Sequence, residues 1–287
     1  MTALARQRPS EIASPGEYLF TWKDFAEIAE LLYAISGIHM VEAKASLMYS
    51  RLAKRVRALK LPDFAAYCAL VRNEAEIEER SAMLSALTTN VTRFYREPHH
   101  FDHLRTAVMP RLAKVARSGG RVRLWSAGCS AGHEPYSMAM TVLEALPEAP
   151  GLDVRILASD IDPRIVERAT ACVYSDDDVE PIPAAARSRY VRRSEGGWTV
   201  SDEARGLIAF RTLNLLGDWP IRGRFDVIFC RNVAIYFDDP TQTRLFERFS
   251  EQLNDDAQLY IGHSERVSNP NLTPDGLTAY RRRSRRG

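Results

Sequence analysis

The chain has 287 residues, of which 45% are hydrophobic and 26% are charged, a composition typical of a soluble globular protein with room for two unequal domains. Its formal net charge of +2 argues against a protein built mainly to bind nucleic acid or an anionic membrane. The four cysteines form no C-x-x-C pair, which argues against a structural zinc site and a disulfide scaffold, and no other metal-ligand cluster is evident.

The first part of the chain has the pattern of a helical domain. Residues 1–20 are rich in Pro, Ser and Gly, which indicates a flexible N-terminus. From Trp22 to about Leu87, apolar residues recur at three- and four-residue spacing, which predicts several amphipathic helices and no strand. We therefore predict an all-helical N-terminal domain over residues 21–88, followed by a linker and connecting helix over residues 89–118.

From residue 119 the pattern changes to alternating strands and helices, which predicts an α/β domain over residues 119–287 with a parallel sheet and right-handed crossovers. Short strand-like runs at 190–191, 198–200 and 207–210 do not fit this alternation, and they predict a small antiparallel β insertion at about 189–211. The main strands are predicted at 121–126, 154–158, 225–230 and 258–261, with helices at about 134–146, 163–171 and 241–253.

The turn after the first of these strands resembles a nucleotide-binding turn, because Gly128 and Gly132 allow a sharp bend and a close backbone approach. Tight packing alone could also explain it. Asp160, about 28 residues after the turn, stands where an acidic residue binds ribose hydroxyls, whereas Asp162 is expected to cap the next helix. The absence of G-x-G-x-x-G disfavours a dehydrogenase, and the absence of G-K-[ST] excludes a P-loop. A methyltransferase-like nucleoside pocket is the interpretation that remains.

Six short segments, which span both predicted domains, carry a more specific signal. They are 87–101 (LTTNVTRFYREPHHF), 124–137 (LWSAGCSAGHEPYS), 158–162 (ASDID), 213–216 (LNLL), 225–238 (FDVIFCRNVAIYFD) and 262–265 (GHSE). In them the chain resembles the chemotaxis receptor methyltransferases of the CheR type, over about residues 22–282. The resemblance implies a Rossmann-like S-adenosylmethionine-dependent methyltransferase domain with the small antiparallel insertion, preceded by the helical domain. It also implies an activity, the formation of glutamate methyl esters on chemoreceptor cytoplasmic helices, with S-adenosylmethionine as cofactor, S-adenosylhomocysteine as product and no metal.

The resemblance further implies which residues form the site. Arg96 and Tyr236 are expected nearest the reacting centre, as the catalytic residues. Each position also has a structural alternative, since Asn90 could cap a helix, Arg96 could pair with neighbours and Tyr236 could be a core aromatic residue. The implied cofactor-binding residues are Asn90, Thr92, Arg96, Glu134, Asp160, Asn214, Leu215, Arg231 and Asn232.

A basic segment is the candidate contact for the acceptor. Residues 44–60 carry six basic residues and no acidic one, so this helix could steer an acidic receptor helix, or it could be an ordinary solvated face. A glutamate acceptor, with a pKa of about 4.3, is ionised at neutral pH and needs no general base. The turn at 195–197 looks short, which favours a family member that needs no receptor tether peptide. The predicted substrate-binding residues are Arg51, Lys54, Arg55 and Arg57.

We expect the partner to be the cytoplasmic domain of a methyl-accepting chemoreceptor, with no nucleic acid and no membrane insertion, and the chain to be a cytoplasmic monomer. No apolar run approaches the ~20 residues of a spanning helix, and the N-terminus lacks a signal-peptide pattern. A nucleic-acid methyltransferase is an alternative, because residues 281–286 form an arginine-rich tail, although the chain has no [DNS]-P-P-[YFW] or Pro-Cys motif. A non-catalytic cofactor-binding scaffold is a third possibility.

Overall fold

The computed structural model describes residues 17–88 and 90–284, and its contacts divide the chain into two compact units, Met1–Thr89 and Asn90–Gly287. Most of the predicted flexible N-terminus, residues 1–16, lies outside the described residues, as do Arg285 and Arg286 of the basic tail. All four cysteines are free thiols with buried side chains: Cys68, Cys129, Cys172 and Cys230.

Every regular element described in the first unit is helical, as predicted. The first helix begins at a capping box, in which the Thr21 hydroxyl accepts from the Asp24 backbone N–H and the Asp24 carboxylate accepts from the Thr21 N–H. It ends at Gly37, whose φ of 71° is in the left-handed region that favours glycine. The elements are α1 (Trp22–Ser36), a 3₁₀ turn (Glu42–Lys44), α2 (Ala45–Ala58), α3 (Phe64–Arg72) and α4 (Ile77–Leu87).

Helical segments precede the sheet in the second unit and pack into its core. They are α5 (His99–His103), a π-helical stretch (Leu104–Val108) and α6 (Met109–Arg117). Leu104 and Leu112 are fully buried in the same apolar cluster as Leu124 of the first strand. The range 89–118, for which the sequence predicts a linker and connecting helix, thus holds α5, the π-helical stretch and α6, whose apolar residues belong to the core of the second unit. Amphipathic spacing predicts a helix, but it does not predict which domain core the apolar face of that helix packs against.

The remainder of the second unit alternates strands and helices, which confirms the predicted α/β fold class. Two 3₁₀ turns, Ala149–Gly151 and Ala234–Tyr236, lie between regular elements. The regular elements are β1 (Val122–Ala127), α7 (His133–Ala145), β2 (Val154–Asp160), α8 (Pro163–Ala171), α9 (Asp176–Val179), α10 (Ala184–Tyr190), β3 (Val191–Ser194), β4 (Gly197–Val200), α11 (Asp202–Arg205), β5 (Ile208–Thr212), β6 (Phe225–Cys230), α12 (Asp239–Gln252), β7 (Leu253–Ile261), β8 (Leu272–Pro274) and β9 (Ala279–Arg282).

Seven of these strands form one sheet in the order β5-β2-β1-β6-β7-β9-β8. The strands from β5 to β7 in that order run parallel, whereas β9 is antiparallel to both β7 and β8. Ser126 of β1 lies opposite Ala158 of β2 and Phe229 of β6. The carboxyl ends of these three central strands therefore lie side by side at one edge of the sheet, which is where such folds bind ligands.

The antiparallel insertion is smaller than predicted. Strands β3 and β4 form a separate two-stranded sheet, joined through a turn at Gly196, and a bridge between Tyr174 and Trp198 attaches it to the preceding loop. The run at 207–210, which we assigned to the insertion, instead belongs to β5, where Ile208 lies opposite Ile156 of β2 in a parallel pair. A short strand-like run does not specify its partner, because pairing is decided by distant residues.

Candidate functional site

The turn after β1 is tied to the end of β2 by backbone hydrogen bonds. The N–H groups of Gly128 and Cys129 both donate to the Ser159 carbonyl oxygen, at 2.8 Å each. The next N–H, of Ser130, donates to the Asp160 carboxylate at 2.8 Å. Gly128 has a φ of 87°, so the turn needs the conformational freedom of glycine at this position. The glycine-rich turn and the predicted ribose ligand are thus connected directly by hydrogen bonds.

Asp160 ends β2 with only 9% of its surface exposed. One carboxylate oxygen accepts from Ser130 and the other from the Asp162 N–H at 3.1 Å. Burial raises the pKa of Asp160, and the backbone donors only partly offset this effect. Asp162 caps α8 as expected, since its side chain accepts from the Arg164 N–H at 3.0 Å. The Asn90 side-chain amide approaches the other Asp162 oxygen at 3.5 Å.

A buried ion-pair cluster lies where β6 ends. The Arg231 side chain is 2% exposed, and its guanidinium contacts Glu97 at 3.1 Å and Glu134 at 3.3 Å, while it also donates to the Arg96 carbonyl oxygen. The other oxygen of Glu134 accepts from the Ser126 hydroxyl at 2.7 Å. Burial raises the pKa of Glu134, although the Arg231 charge opposes this. Two of the predicted cofactor-binding residues, Arg231 and Glu134, therefore contact each other.

Glu97 is a member of this cluster that our sequence analysis did not include among the site residues. One of its oxygens accepts from His263 through both the backbone N–H, at 3.2 Å, and Nδ1, at 2.9 Å. Burial raises the pKa of Glu97, but the His263 hydrogen bond and the Arg231 charge outweigh burial and lower it to about 2. The sequence feature that could have indicated Glu97 is Arg231 itself, because an arginine that is buried requires carboxylate partners.

His100 is a buried histidine of α5. It has no exposed surface, and its Nε2 lies 2.8 Å from the Thr278 hydroxyl and 3.2 Å from the Leu277 carbonyl oxygen. Burial, reinforced by the nearby Arg231 charge, lowers the pKa of His100 to about 3. His100 is therefore neutral in the folded protein at every pH near neutrality.

Replacing His100 with Gln is expected to make the second unit less sensitive to mild acid. Below about pH 6.5 the unfolded chain protonates this imidazole while the native state does not, so native stability falls as the pH falls towards 3. At about 1.4 kcal/mol per pH unit, the wild type should lose about 2 kcal/mol more than His100→Gln between pH 7 and pH 5. Urea unfolding at both pH values measures the difference. The exposed His39→Gln serves as control, and equal losses in His100→Gln and wild type would contradict the prediction.

Two further predicted residues lie in the loop after β5. Asn214 turns its side chain back onto the backbone, where its oxygen accepts from the Leu216 N–H at 2.9 Å. Leu215 is 7% exposed, and its carbonyl oxygen accepts from Arg248 at 2.8 Å and from the Trp219 indole at 3.1 Å. These bonds fix the conformation of the loop, which follows the strand paired with β2.

The loop after β6 carries Asn232 and Tyr236. Asn232 adopts a left-handed φ of 60°, and its buried side-chain oxygen has no hydrogen-bond partner among the described residues. Tyr236 is half-buried at the end of the 3₁₀ turn. In the segment before α5, Thr92 is half-buried, and the half-buried Arg96 donates to the Val91 carbonyl oxygen at 3.2 Å.

The basic residues of α2 in the first unit have mixed environments. Arg51 caps α4 by donating to the carbonyl oxygens of Leu87 and Thr88, at 3.0 and 2.9 Å. Arg55 pairs with Glu79, whose side chain is 7% exposed. Lys54 is exposed, and Arg57 is exposed and pairs with Glu17 at 2.6 Å. Of the predicted substrate-binding residues, Arg51 and Arg55 thus have structural partners, because their four-residue spacing turns both towards α4.

Both units match known domains. Residues 90–277 match the CheR methyltransferase, SAM binding domain, and residues 23–88 match the CheR methyltransferase, all-alpha domain. The chain belongs to the CheR methyltransferase family. It is 48% identical over 258 residues to a probable chemotaxis protein methyltransferase of Rhizobium etli, covering 88% of this chain and 96% of that one. It is also 42% identical to chemotaxis protein methyltransferase 2 of Pseudomonas aeruginosa, over 90% and 91% of the two chains, and 39% identical to the chemotaxis protein methyltransferase of Escherichia coli, over 89% of each.

Membership of the family confirms the prediction of an S-adenosylmethionine-dependent methyltransferase that acts in chemotaxis. Within residues 17–88 and 90–284, no group of three or more His, Cys, Asp or Glu side chains is arranged to hold a metal ion. Within the same residues, no helix combines the length and the apolar character required to cross a bilayer.

Proposed function

We propose that the chain methylates glutamate side chains on the cytoplasmic helices of chemoreceptors, forming glutamate methyl esters and S-adenosylhomocysteine. The observation that carries this proposal is the arrangement at the carboxyl edge of the sheet. Asp160 ends β2, Glu134 lies in the first turn of α7 after β1, and Asn232 follows β6, so the three residues come from adjacent strands, and each is held by hydrogen bonds to neighbouring segments. That edge is where α/β sheets bind nucleotide ligands.

The residues at this edge fit S-adenosylmethionine. Asp160 offers a carboxylate to ribose hydroxyls, and it sits beside a turn whose glycine leaves no room for a side chain, since a Cβ on Gly128 would lie 2.3 Å from Val233 Cγ2. The buried oxygen of Asn232, without a partner among the described residues, would accept a hydrogen bond from the bound nucleoside. We propose that this pocket is completed by Asn90, Thr92, Asn214 and Leu215. Arg231 and Glu134 would support the pocket residues as a buried ion pair.

The chemistry requires little proton transfer. Bound S-adenosylmethionine supplies a methyl group on a positively charged sulfur. An acceptor glutamate is ionised at neutral pH, since its ordinary pKa is about 4.3, so the protein need not remove a proton. The work of the protein side chains is to orient the acceptor and to exclude water. In this scheme Tyr236, at the end of the 3₁₀ turn, lines the approach to the reacting centre.

Arg96 is proposed to orient a carboxylate, either of the acceptor or of the cofactor, through charge-assisted hydrogen bonds. Its guanidinium is half-buried and donates to the Val91 carbonyl oxygen at 3.2 Å. Arg96→Ala is expected to lower kcat/KM by about 10- to 100-fold, because a hydrogen bond to a charged group contributes roughly 1.5–3 kcal/mol. The exposed Arg93→Ala, from the same segment, is the matched control. Full turnover by Arg96→Ala would remove this role.

Transfer of tritiated methyl from S-adenosylmethionine to membranes containing a chemoreceptor tests the proposed function. Label released as methanol by mild base identifies carboxyl methyl esters and supports the proposal. Base-stable label would instead indicate a nitrogen or carbon acceptor, and the substrate would then be a nucleic acid or another protein. Absence of label, with cofactor binding intact by calorimetry, would favour a non-catalytic scaffold if several receptors give the same result.

The acceptor is proposed to approach along the basic face of α2. Lys54 and Arg57 are its exposed candidates, and a surface charge of this kind raises the association rate more than the affinity. Arg51 and Arg55 would add to the positive electrostatic potential of this face, while their guanidinium groups keep their hydrogen bonds to Thr88 and Glu79. We propose that the partner is a chemoreceptor cytoplasmic domain and that the chain acts on it in the cytoplasm. We also propose that it acts as a monomer and needs no tether peptide.

A further inference from the structure

Glu265 is a buried carboxylate surrounded by backbone donors. It is 4% exposed and lies in the loop after β7, within the segment Gly262–Glu265 whose sequence is GHSE. Its two oxygens accept from the N–H groups of Asn232 at 3.0 Å, Val233 at 2.9 Å, Ile235 at 3.3 Å and Gly262 at 2.5 Å. One side chain therefore binds three backbone groups of the loop after β6 and one of its own loop.

The loop after β6 needs such support. Asn232 adopts a φ of 60°, which costs free energy for a residue other than glycine. Gly262 lies against it so closely that a Cβ there would be 2.5 Å from the Asn232 side-chain nitrogen. A carboxylate that accepts several N–H bonds stabilises such a conformation, whereas its loss leaves those buried donors unpaired. The position of Asn232 is thus held by the Glu265 carboxylate, through the backbone, and by the close approach of Gly262.

We propose that Glu265 is a positioning residue for methyl transfer, which holds Asn232 and the 3₁₀ turn Ala234–Tyr236 in their binding conformation. The proposal rests on the function proposed above, because it assumes that this loop contacts the cofactor. Glu265 acts through the backbone of the loop, since the four hydrogen bonds that its carboxylate accepts among the described residues all come from backbone N–H groups.

Asp226 provides a matched control on β6, the strand that precedes the loop bound by Glu265. It is 7% exposed, and its carboxylate accepts from the Arg123 N–H and from the Asn254 amide, at 2.9 Å each. It lies near the start of β6, whereas the loop bound by Glu265 follows the end of that strand. Asp226→Asn therefore removes a comparable buried charge at the opposite edge of the sheet.

The test is calorimetric binding of S-adenosylhomocysteine to the full-length chain, together with urea unfolding. Glu265→Gln keeps the size of the side chain but presents an NH₂ group to backbone donors, so the Kd is expected to rise at least 10-fold. Asp226→Asn is expected to change the Kd by less than 2-fold despite a similar loss of stability. Glu265→Asp, which keeps the charge but is shorter, should give an intermediate Kd, and it reports on the role if Glu265→Gln fails to fold.

A double variant separates positioning from general stabilisation. If Glu265 acts through Asn232, Glu265→Gln should weaken binding little further once Asn232→Ala is present. Wild-type affinity in both Glu265 variants, or equal weakening by Glu265→Gln and Asp226→Asn, would overturn the positioning role while leaving the proposed function intact. A wild-type chain that binds no S-adenosylhomocysteine would overturn the proposed function and this role with it.

Discussion

Arg231→Met is expected to lower the free energy of unfolding of the second unit by about 3–5 kcal/mol at pH 7, because removing one partner of a buried ion pair leaves the other uncompensated. In this case two carboxylates, of Glu97 and Glu134, would lose the same guanidinium, and both side chains are only 12% exposed. Met preserves much of the apolar volume of the side chain, so loss of packing contributes little. Urea unfolding measures the change, and binding of S-adenosylhomocysteine should weaken in parallel.

An exposed ion pair in the same unit supplies the control for Arg231→Met. Arg117 and Glu148 lie 2.6 Å apart, but their side chains are 53% and 46% exposed. Solvent screens exposed pairs of this kind, so Arg117→Met should leave the free energy of unfolding almost unchanged. A loss below 1 kcal/mol in Arg231→Met as well would mean that water reaches the cluster and that burial does not determine its energy.

Gly128→Ala is expected to destabilise the second unit by about 2–5 kcal/mol, through two separate effects. The left-handed backbone, with a φ of 87°, costs an alanine about 1–2 kcal/mol. The new Cβ would also lie 2.3 Å from Val233 Cγ2, so the loop after β6 must move, at a cost of about 1–3 kcal/mol. Because both displaced loops border the proposed nucleoside pocket, we expect the Kd for S-adenosylhomocysteine to rise at least 10-fold.

Gly119→Ala isolates the backbone effect from the steric effect. Gly119 has a similar φ of 81°, but a Cβ there would meet no atom within 4 Å. Its replacement should cost only the backbone part, about 1–2 kcal/mol, and should leave cofactor affinity unchanged. The difference between the two variants then measures the contact between the β1 turn and Val233. If the two variants behave alike in both assays, that contact does not matter.

The sequence predicted a helix or strand of this fold correctly where the pattern depends only on the residues of that element. The alternation of β1, the apolar run of β6 and the helical spacing of the first unit each reflect the residues of one element. The run that became β5 was misassigned because its half-exposed residues suit an edge strand and a hairpin equally. For residues 89–118 the sequence predicts a linker and connecting helix but not the core that the helix joins, because an amphipathic pattern does not identify the surface that covers it.

The residues of the candidate site were predictable mainly at the ends of strands. Asp160 and Asn232 follow strands that the sequence identifies, so the fold rule brings them to one edge. The partners of Arg231 were not predictable in the same way, since Glu97 is 134 residues away and only the folded chain joins them. The structural partner of Arg55 was unpredictable for a related reason, because Glu79 lies on another helix.

Because all four cysteines are buried, the rate at which each thiol is modified reports how often its unit opens. Cys68 belongs to the first unit, whereas Cys129, Cys172 and Cys230 belong to the second. Burial raises the pKa of Cys68 to about 12 and that of Cys129 and Cys230 well above the usual value, so the reactive thiolate is scarce in the native state. An alkylating reagent should therefore modify the chain chiefly when a unit unfolds. Mass spectrometry of the modified peptides can then read the two opening rates separately in one unaltered sample.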